Sequence, residues 1–535
     1  MTVDNNATPT TRRRWWTLAA VALGVSLIIM DATVVNVALP VIISDVHLDA
    51  TQAEWMNAVY SLMFGALLLT LGRVGDLYGR RRLFAAGMVV FVGASVLAGF
   101  AGGAAPLIGA RVLQGAGAAM ILPATLSTLN AVFRGKERAI AFAVWGSTIG
   151  GMAAVGPLVG GWLTTDVSWR WAFWINVPVG LVVLALIARY VPETRDETAG
   201  RGLDVGGVVL SSLGMGGIVF ALIEGRQYGW WERSSGGISP VPIALATGIV
   251  VMASFIALQR SRERAGKIVL VDLHLLAVRS FRYGSLAALV VALGEFGLIF
   301  TLSLLLQGAL GYTALGTGLL IVSLAAGTFF VSGMTPQLTK RYGGRAVVRV
   351  GLALEAVAVA GLAVTLSATI GTWSIAGWLF LYGLGVGMAT AQLTSVILAD
   401  IPVAESGQAS GLQSTFRQLG SALGVAVLGT LLIATLGHST GTRLEGTGIP
   451  AVAQNQLVAA VTQSAGAAIP SLRADPATAG AGDAAAAGMI DASRTTTGVA
   501  AAIIALGLLA TFALPAPPVA PAAGRRRVRG GSPDS

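Results

Sequence analysis

The chain has 535 residues, 55% of them hydrophobic and only 11% charged, against about 25% charged in a soluble domain, so it reads as an integral membrane protein. It has no cysteine, which excludes disulfides, iron–sulfur clusters and thiolate zinc sites, and its three histidines, His47, His274 and His438, are too scattered to suggest a metal centre. A formal charge of +10 would suit a nucleic-acid partner, but its distribution along the chain argues for membrane topology instead.

Apolar stretches near the length that crosses a bilayer, about 20 residues, recur throughout. They are expected as spans at 15–39, 55–71, 83–102, 106–130, 139–163, 171–190, 203–223, 240–259, 281–307, 312–334, 346–367, 372–397, 403–434 and 497–515, fourteen in all. Glycine-rich runs of this length fit helices, which satisfy their own backbone in hydrocarbon, better than barrel strands. The opening "TRRRWWTLAA" has the basic start of a signal peptide. The apolar run after it carries Asp31 and lacks a small-residue cleavage site, so it is read as a retained first span.

Lysine and arginine test the orientation. With the N-terminus inside, 27 of the 35 basic residues fall on cytoplasmic segments, six fall outside, and two, Arg111 and Arg417, lie within spans. An even number of spans then puts both termini in the cytoplasm. The expected organisation is a cytoplasmic tail at 1–14, a six-helix bundle at 15–190, a linker at 191–280 with two extra spans, and a second six-helix bundle at 281–515. The last includes an outside loop at 435–496, rich in Ala, Gly, Thr and Ser, in which composition leaves short surface helices open. The Pro-, Ala- and Arg-rich stretch 516–535 is expected to be a disordered basic cytoplasmic tail. A short echo, "LYGRR" at 77–81 and "RYGGR" at 341–345, follows the second span of each bundle on the same side, as parallel repeats of a transporter would. Lys340 stands in the second copy where Asp76 stands in the first.

Five ionisable residues sit inside spans: Asp31, Arg111, Glu295, Glu355 and Arg417. Facing lipid, such groups are expensive, so they mark interior or water-lined sites. At a rise of 1.5 Å per residue, Asp31 and Arg111 lie about 12 Å and about 8 Å from the outer ends of their spans, close enough in depth to pair. Two readings follow: Asp31 takes and releases a proton under the control of Arg111, or the pair is a static tie between two helices. Glu295, among apolar and glycine neighbours, suits a proton carrier or the counter-charge of a cationic substrate, or else a hydrogen bond within a helix contact. Glu355 and Arg417 either neutralise each other or, with Gln413 on the same face as Arg417, four residues before it, form a polar site in the second half.

Other classes fit less well. The chain has no GxxxxGK[ST] motif for an ATP motor. "GRVGDLYGRRR" at 72–82 lies between two spans and lacks the strand–turn–helix setting of a dinucleotide loop. A channel would want a re-entrant filter segment, and a membrane enzyme a soluble domain or a catalytic cluster. A secondary transporter leads, with no enzymatic centre, no cofactor and no metal.

Several motifs then carry a resemblance. "GRVGDLYGRRR" is similar to the signature between helices 2 and 3 of the major facilitator superfamily, with Gly72, Arg73, Gly75, Asp76, Gly79, Arg80 and Arg81 in place. "MDATVVNVALP", with Asp31, Thr33, Asn36 and Pro40, resembles the first helix of the 14-helix drug:proton antiporters of the QacA/EmrB type. "RVLQGAGAA" at 111–119 resembles the helix 4 motif whose arginine, here Arg111, is implicated in proton coupling. "GPLVGG", with Gly156, Pro157, Gly160 and Gly161, resembles the helix 5 antiporter motif, and "WRWAFWINVPVG" at 169–180 also resembles the start of helix 6 in this group. Two departures stand out: Met152 replaces an expected glycine, and the second-half signature is degenerate.

The resemblance implies an all-α fold of two six-helix bundles plus two peripheral helices, in a bacterial inner membrane. It implies alternating access in which proton entry drives export of amphipathic or cationic drugs, dyes or antibiotics, with a same-fold exporter of one physiological metabolite as the alternative. It also implies that Asp76 helps latch a cytoplasmic gate. Asn57, Tyr60, Gln114 and Trp145 are candidates for the substrate cavity. The expected partners are a small-molecule substrate, protons and lipid, with no nucleic acid, and the chain is expected to act as a monomer.

Overall fold

The computed structural model describes residues 11–195, 202–231, 239–401, 406–445 and 449–513. Every regular element among them is helical. The first block comprises α1 (Thr11–Val46), α2 (Ala50–Tyr78), α3 (Arg80–Gly99), α4 (Ala104–Val132), α5 (Gly135–Trp162), and α6 (Trp171–Trp174) with α7 (Asn176–Tyr190), one span broken at Ile175. The extra pair is α8 (Val205–Tyr228) and α9 (Pro240–Arg264). The last block runs through α10 (Arg279–Gly308), α11 (Ala314–Ser332), α12 (Thr335–Tyr342), α13 (Gly344–Thr365), α14 (Thr372–Ile397), α15 (Ser406–Leu444), α16 (Ala451–Gln463), α17 (Ile469–Ala474) and α18 (Ala479–Ala510). Thirteen spans among the described residues are long and apolar enough to cross a bilayer; α5, with 28 residues, covers the remaining predicted span.

Residues 435–496 differ from the predicted loop. α15 continues to Leu444, α16 and α17 follow, and α18 starts at Ala479, well before the predicted span at 497. The physical reason is composition: the alanine-rich "AGAGDAAAAGMIDAS" has high helix propensity. Its acids are paired, Asp483 with Arg473 at 2.7 Å and Asp491 with Arg443 at 2.6 Å, so the polar turns carry few unmatched charges. The predicted tail at 516–535 lies outside the described residues.

Local signals explain where helices begin. Asp49 accepts from the Gln52 backbone while the Gln52 side chain accepts from the Asp49 N–H, a capping box that starts α2. At the ends of α2 and α12, Gly79 and Gly343 take φ of +118° and +82°, backbone that side-chain-bearing residues avoid. They occupy matching places in "LYGRR" and "RYGGR", so the short sequence echo is also an echo in backbone conformation.

Within the first block α1 packs on α5 and α7, and α4 on α2 and α3; within the last, α10 and α18 pack on α15, and α14 on α11 and α13. The blocks meet where α2 lies against α15 and α5 against α11, and α8 bridges α2 and α15. Two of the hydrogen bonds between the blocks sit toward the C-terminal ends of α1 and α10 and beyond the end of α5. Gln307 donates to Val37 O at 2.9 Å, and the Leu315 N–H donates to Thr165 Oγ1 at 3.0 Å. Gly161 lies at the same contact between the blocks: a Cβ there would fall 2.6 Å from Ala314 O and 2.8 Å from Leu315 Cα.

The far end of the extra pair is tied by buried Asp204, which caps α8 through the Gly207 N–H at 2.7 Å. It also accepts from Gln259 at 2.5 Å and from Arg262. Gln259 in turn accepts from the Leu270 N–H at 2.8 Å, holding the connection toward α10 against α9.

Candidate functional site

Asp31 of α1 and Arg111 of α4 meet in the interior of the first block. They are 0% and 1% exposed, and Arg111 Nη1 donates to Asp31 Oδ2 at 2.5 Å. Two further donors reach the other oxygen: Gln114 Nε2 at 2.8 Å and Asn176 Nδ2 of α7 at 3.0 Å. Both amides also donate to Ser95 Oγ of α3, at 2.9 Å and 3.1 Å. The carboxylate of α1 thus accepts from α4 and α7, and Ser95 of α3 joins the network through the two amides. Arg111 is held as firmly: Nη1 also donates to Gln114 Oε1 at 2.9 Å, Nε donates to Met56 O at 3.3 Å, and its guanidinium carbon lies 4.2 Å from the Tyr60 ring centroid.

Beside this centre is a cleft of about 310 Å³ between the two blocks, lined by Asn36, Asn57, Tyr60, Ser61 and Arg111 on one side and Phe296, Ser421 and Val425 on the other. Asn57 donates to Asn36 at 2.8 Å, and the hydroxyls of Ser61 and Ser421 are 3.1 Å apart across the cleft. Of the cavity candidates, Asn57 and Tyr60 line this space. Gln114 belongs instead to the Asp31 network, and Trp145 packs against the hydrophobic core.

The last block pairs its charges differently from the expectation. Arg417 of α15 approaches Glu295 of α10 at 3.5 Å, so Glu295 has a cationic neighbour and Glu355 does not take Arg417. The geometric reason is placement: Glu295 and Arg417 share the wall of a second cleft of about 330 Å³, with Thr394 and Gln413, whereas Glu355 of α13 is 1% exposed. Neither Glu355 oxygen has a hydrogen-bond partner among the described residues, nor has the buried Tyr382 hydroxyl of α14. Gln413 donates to Thr394 Oγ1 at 2.8 Å.

The "GRVGDLYGRRR" stretch forms the end of α2, the turn at Gly79 and the start of α3. Asp76 accepts from Arg80 Nε and Nη2 at 2.9 Å and 2.8 Å, and Arg80 Nη1 reaches Ser127 O of α4 at 3.4 Å. The turn is docked on the last turn of α7 and the chain after it: the Arg80 N–H donates to Thr194 O at 2.9 Å, the Arg81 N–H to Glu193 Oε1 at 3.1 Å, and Arg81 Nη2 to Ala188 O at 2.7 Å. Gly72 faces Pro123, and Gly75 faces Leu83. In "GPLVGG", Gly156 and Gly160 lie against Thr33 and Val34 of α1, Gly161 lies against α11, and Pro157 O is in contact with Gly318 of α11. This motif is therefore a three-helix junction that includes both blocks.

Sequence reasoning missed several of these residues. Ser95 and Asn176 carry no charge, so nothing in a count of embedded ions flags them. Glu54 is 1% exposed, accepts from Thr430 Oγ1 of α15 at 3.2 Å, and packs against Gly429. It lies just outside the predicted span at 55–71, although the Asp49–Gln52 spacing signals the earlier helix start. Next to it, Trp55 donates to Glu224 of α8 at 2.9 Å.

Comparison with known proteins agrees with this architecture. The family model described as Major Facilitator Superfamily matches residues 21–425. The chain is 33% identical to the probable actinorhodin transporter of Streptomyces coelicolor over 81% of its own length and 75% of that protein. It is 35% identical to the multidrug efflux pump LfrA of Mycolicibacterium smegmatis over 81% and 83% of the two chains. In fold it resembles the inward-facing, occupied crystal structure of a bacterial homologue of the human lysosomal transporter Spinster, with a TM-score of 0.65, 17% identity, and coverage of 94% and 97%. The helical blocks, the interior charge pair and these matches together show that the chain belongs to the Major Facilitator Superfamily, among its multidrug and antibiotic exporters.

Proposed function

We propose that this multi-pass membrane protein is a proton-coupled secondary exporter of amphipathic or cationic drugs and dyes, with Asp31 as the proton carrier and Arg111 as its control. The observation that carries the reading is the Asp31 centre. A carboxylate that accepts from Arg111, Gln114 and Asn176 at once is arranged for the ionised form. Separation of α1 from α4 and α7 would strip those donors, and in this reading a bound proton takes their place. Conformation and proton occupancy are then two descriptions of one change, as antiport requires.

The proton gradient supplies the energy, and the site residues need no cofactor. Glu295 in its cleft within the last block offers a cation a counter-charge, and this cleft and the one between the blocks offer it apolar walls. Asp76 serves the gate opposite the closed side: here it is bound to Arg80 within its own block, and in the alternate state it latches the approaching helices. Both blocks belong to one chain, so a monomer is the working unit.

Everted vesicles with an acid interior test this. Addition of a fluorescent cationic dye, ethidium, should produce gradient-dependent uptake and partial collapse of the pH gradient, and several unrelated cations should compete. A gradient that no compound dissipates would refute it. A second reading, a dedicated exporter of a single antibiotic-like metabolite, is favoured by the similarity to the probable actinorhodin transporter. A response confined to one compound would select it.

A further inference from the structure

Among the buried acids that the Asp31 mechanism leaves unused, Glu355 is the one with neither oxygen hydrogen-bonded to a described residue. It is 1% exposed in the interior of the last block. An ionised carboxylate in that position would lose its hydration with nothing in return. The charged groups that act on it are Glu295 of α10 and Arg417 of α15. From α14 it faces the neutral Tyr382 region, where Gly385 approaches the Glu355 side chain closely. α18, which also packs on α13, contributes Ala500, Ala501 and Ile504 to the adjoining apolar cluster. The charged side chains of α18 are committed elsewhere: Asp483 to Arg473, Asp491 to Arg443, and Arg494 to Leu366 O. Arg417 therefore pairs with Glu295 while its charge also reaches Glu355, and its contact with Glu295 is long, at 3.5 Å, and borders the cleft.

We propose that Glu355 is a second proton site, and that an incoming organic cation releases its proton by displacing Arg417 from Glu295. Before binding, Glu295 and Arg417 balance each other and Glu355 holds a proton. When the cation pairs with Glu295, the freed guanidinium turns to Glu355. The Glu355 O–H bond breaks, its proton passes to water in the cleft, and the new carboxylate pairs with Arg417. One positive charge enters the site and one leaves, so the block is neutral at both ends of the exchange. On the return path, loss of the cation restores the Glu295–Arg417 pair and Glu355 takes up a proton. This deepens the antiport reading and rests on it, but it concerns a different block from Asp31.

The test uses the full-length protein in detergent, with tetraphenylphosphonium as the probe, in a weakly buffered solution containing a pH dye. Wild type should release protons on binding. E355Q, which imitates the protonated acid, should release one fewer per bound cation, and should bind about tenfold or more weakly, the worth of one charge-assisted hydrogen bond. D31N should retain the Glu355 share. Infrared difference spectra of wild type and D31N provide a readout that does not depend on E355Q folding: a protonated-carboxyl band should vanish on probe binding in both. Wild-type release that E355Q preserves and D31N abolishes, or a carboxyl band unmoved by the probe in D31N, would overturn the second site and leave the proposed export function standing. Binding with no proton release in wild type would overturn both.

Discussion

Replacing Asp31 by asparagine removes the one anion from a site in which a fully buried guanidinium remains. The substituted side chain can still accept through its one oxygen, but its NH₂ group confronts donors that converge on a carboxylate in the native protein: Arg111 at 2.5 Å, Gln114 at 2.8 Å and Asn176 at 3.0 Å. Breaking a buried pair on one side typically destabilises by 3–5 kcal/mol, so about 3 kcal/mol is expected here. The lower end applies because Arg111 keeps Gln114 Oε1, Met56 O and the Tyr60 ring. D31N should insert and purify with a lowered thermal midpoint, and ethidium transport driven by a pH gradient in everted vesicles should fall to background. The double variant D31N/R111Q, with both charges gone, should recover most of the lost stability and none of the transport. That split separates a proton carrier from a static tie, because a tie would recover function together with stability. Full pH-driven transport by D31N would refute the reasoning.

Two other changes probe the gate and the junction. D76N breaks a partly exposed ion pair within one block, so stability should change by only about 0–1 kcal/mol; vesicle dye uptake should nonetheless be lost at near-normal membrane abundance, and undiminished uptake would end the latch role. G161V places a branched side chain where even a Cβ would lie 2.6 Å from Ala314 O, an overpacking of about 1–3 kcal/mol against the closed side. Because the chain has no native cysteine, a single V37C reporter, at a position 0% exposed and packed with Ala314, can be labelled selectively, and its labelling should rise in the G161V background; equal labelling would show that this contact does not hold the blocks together.

What the sequence disclosed and what it withheld have different physical origins. Spans and their order were legible because hydrocarbon demands long apolar runs whatever the fold. The Asp31–Arg111 pair was legible because an embedded charge is rare enough to demand a partner, and helix rise supplies depth. The actual partner of Arg417 was not: depth places Glu295 and Glu355 on similar footing, and only the packing of α10 on α15 decides between them. Ser95 and Asn176 were hidden because neutral polar residues are common in membrane helices, and the extended α18 was hidden because alanine and glycine blur the boundary between a loop and a weakly apolar helix.

The two proton sites together make a claim about electrical charge that neither makes alone. If Asp31 and Glu355 each carry one proton inward for every monovalent cation exported, each cycle moves one net positive charge inward. A membrane potential of 100 mV then contributes about 2.3 kcal/mol per cycle, and would drive export with no pH gradient at all. E355Q removes one of the two protons and makes the exchange electroneutral. In vesicles carrying an imposed potassium diffusion potential, wild type should accumulate tetraphenylphosphonium against its gradient without a pH difference beyond what passive distribution gives. E355Q should lose that response while keeping the response to a pH gradient. The reverse pattern, a potential-driven E355Q, would mean that the Glu355 proton is never exchanged during transport and that the acid serves only to pack α13 against α14.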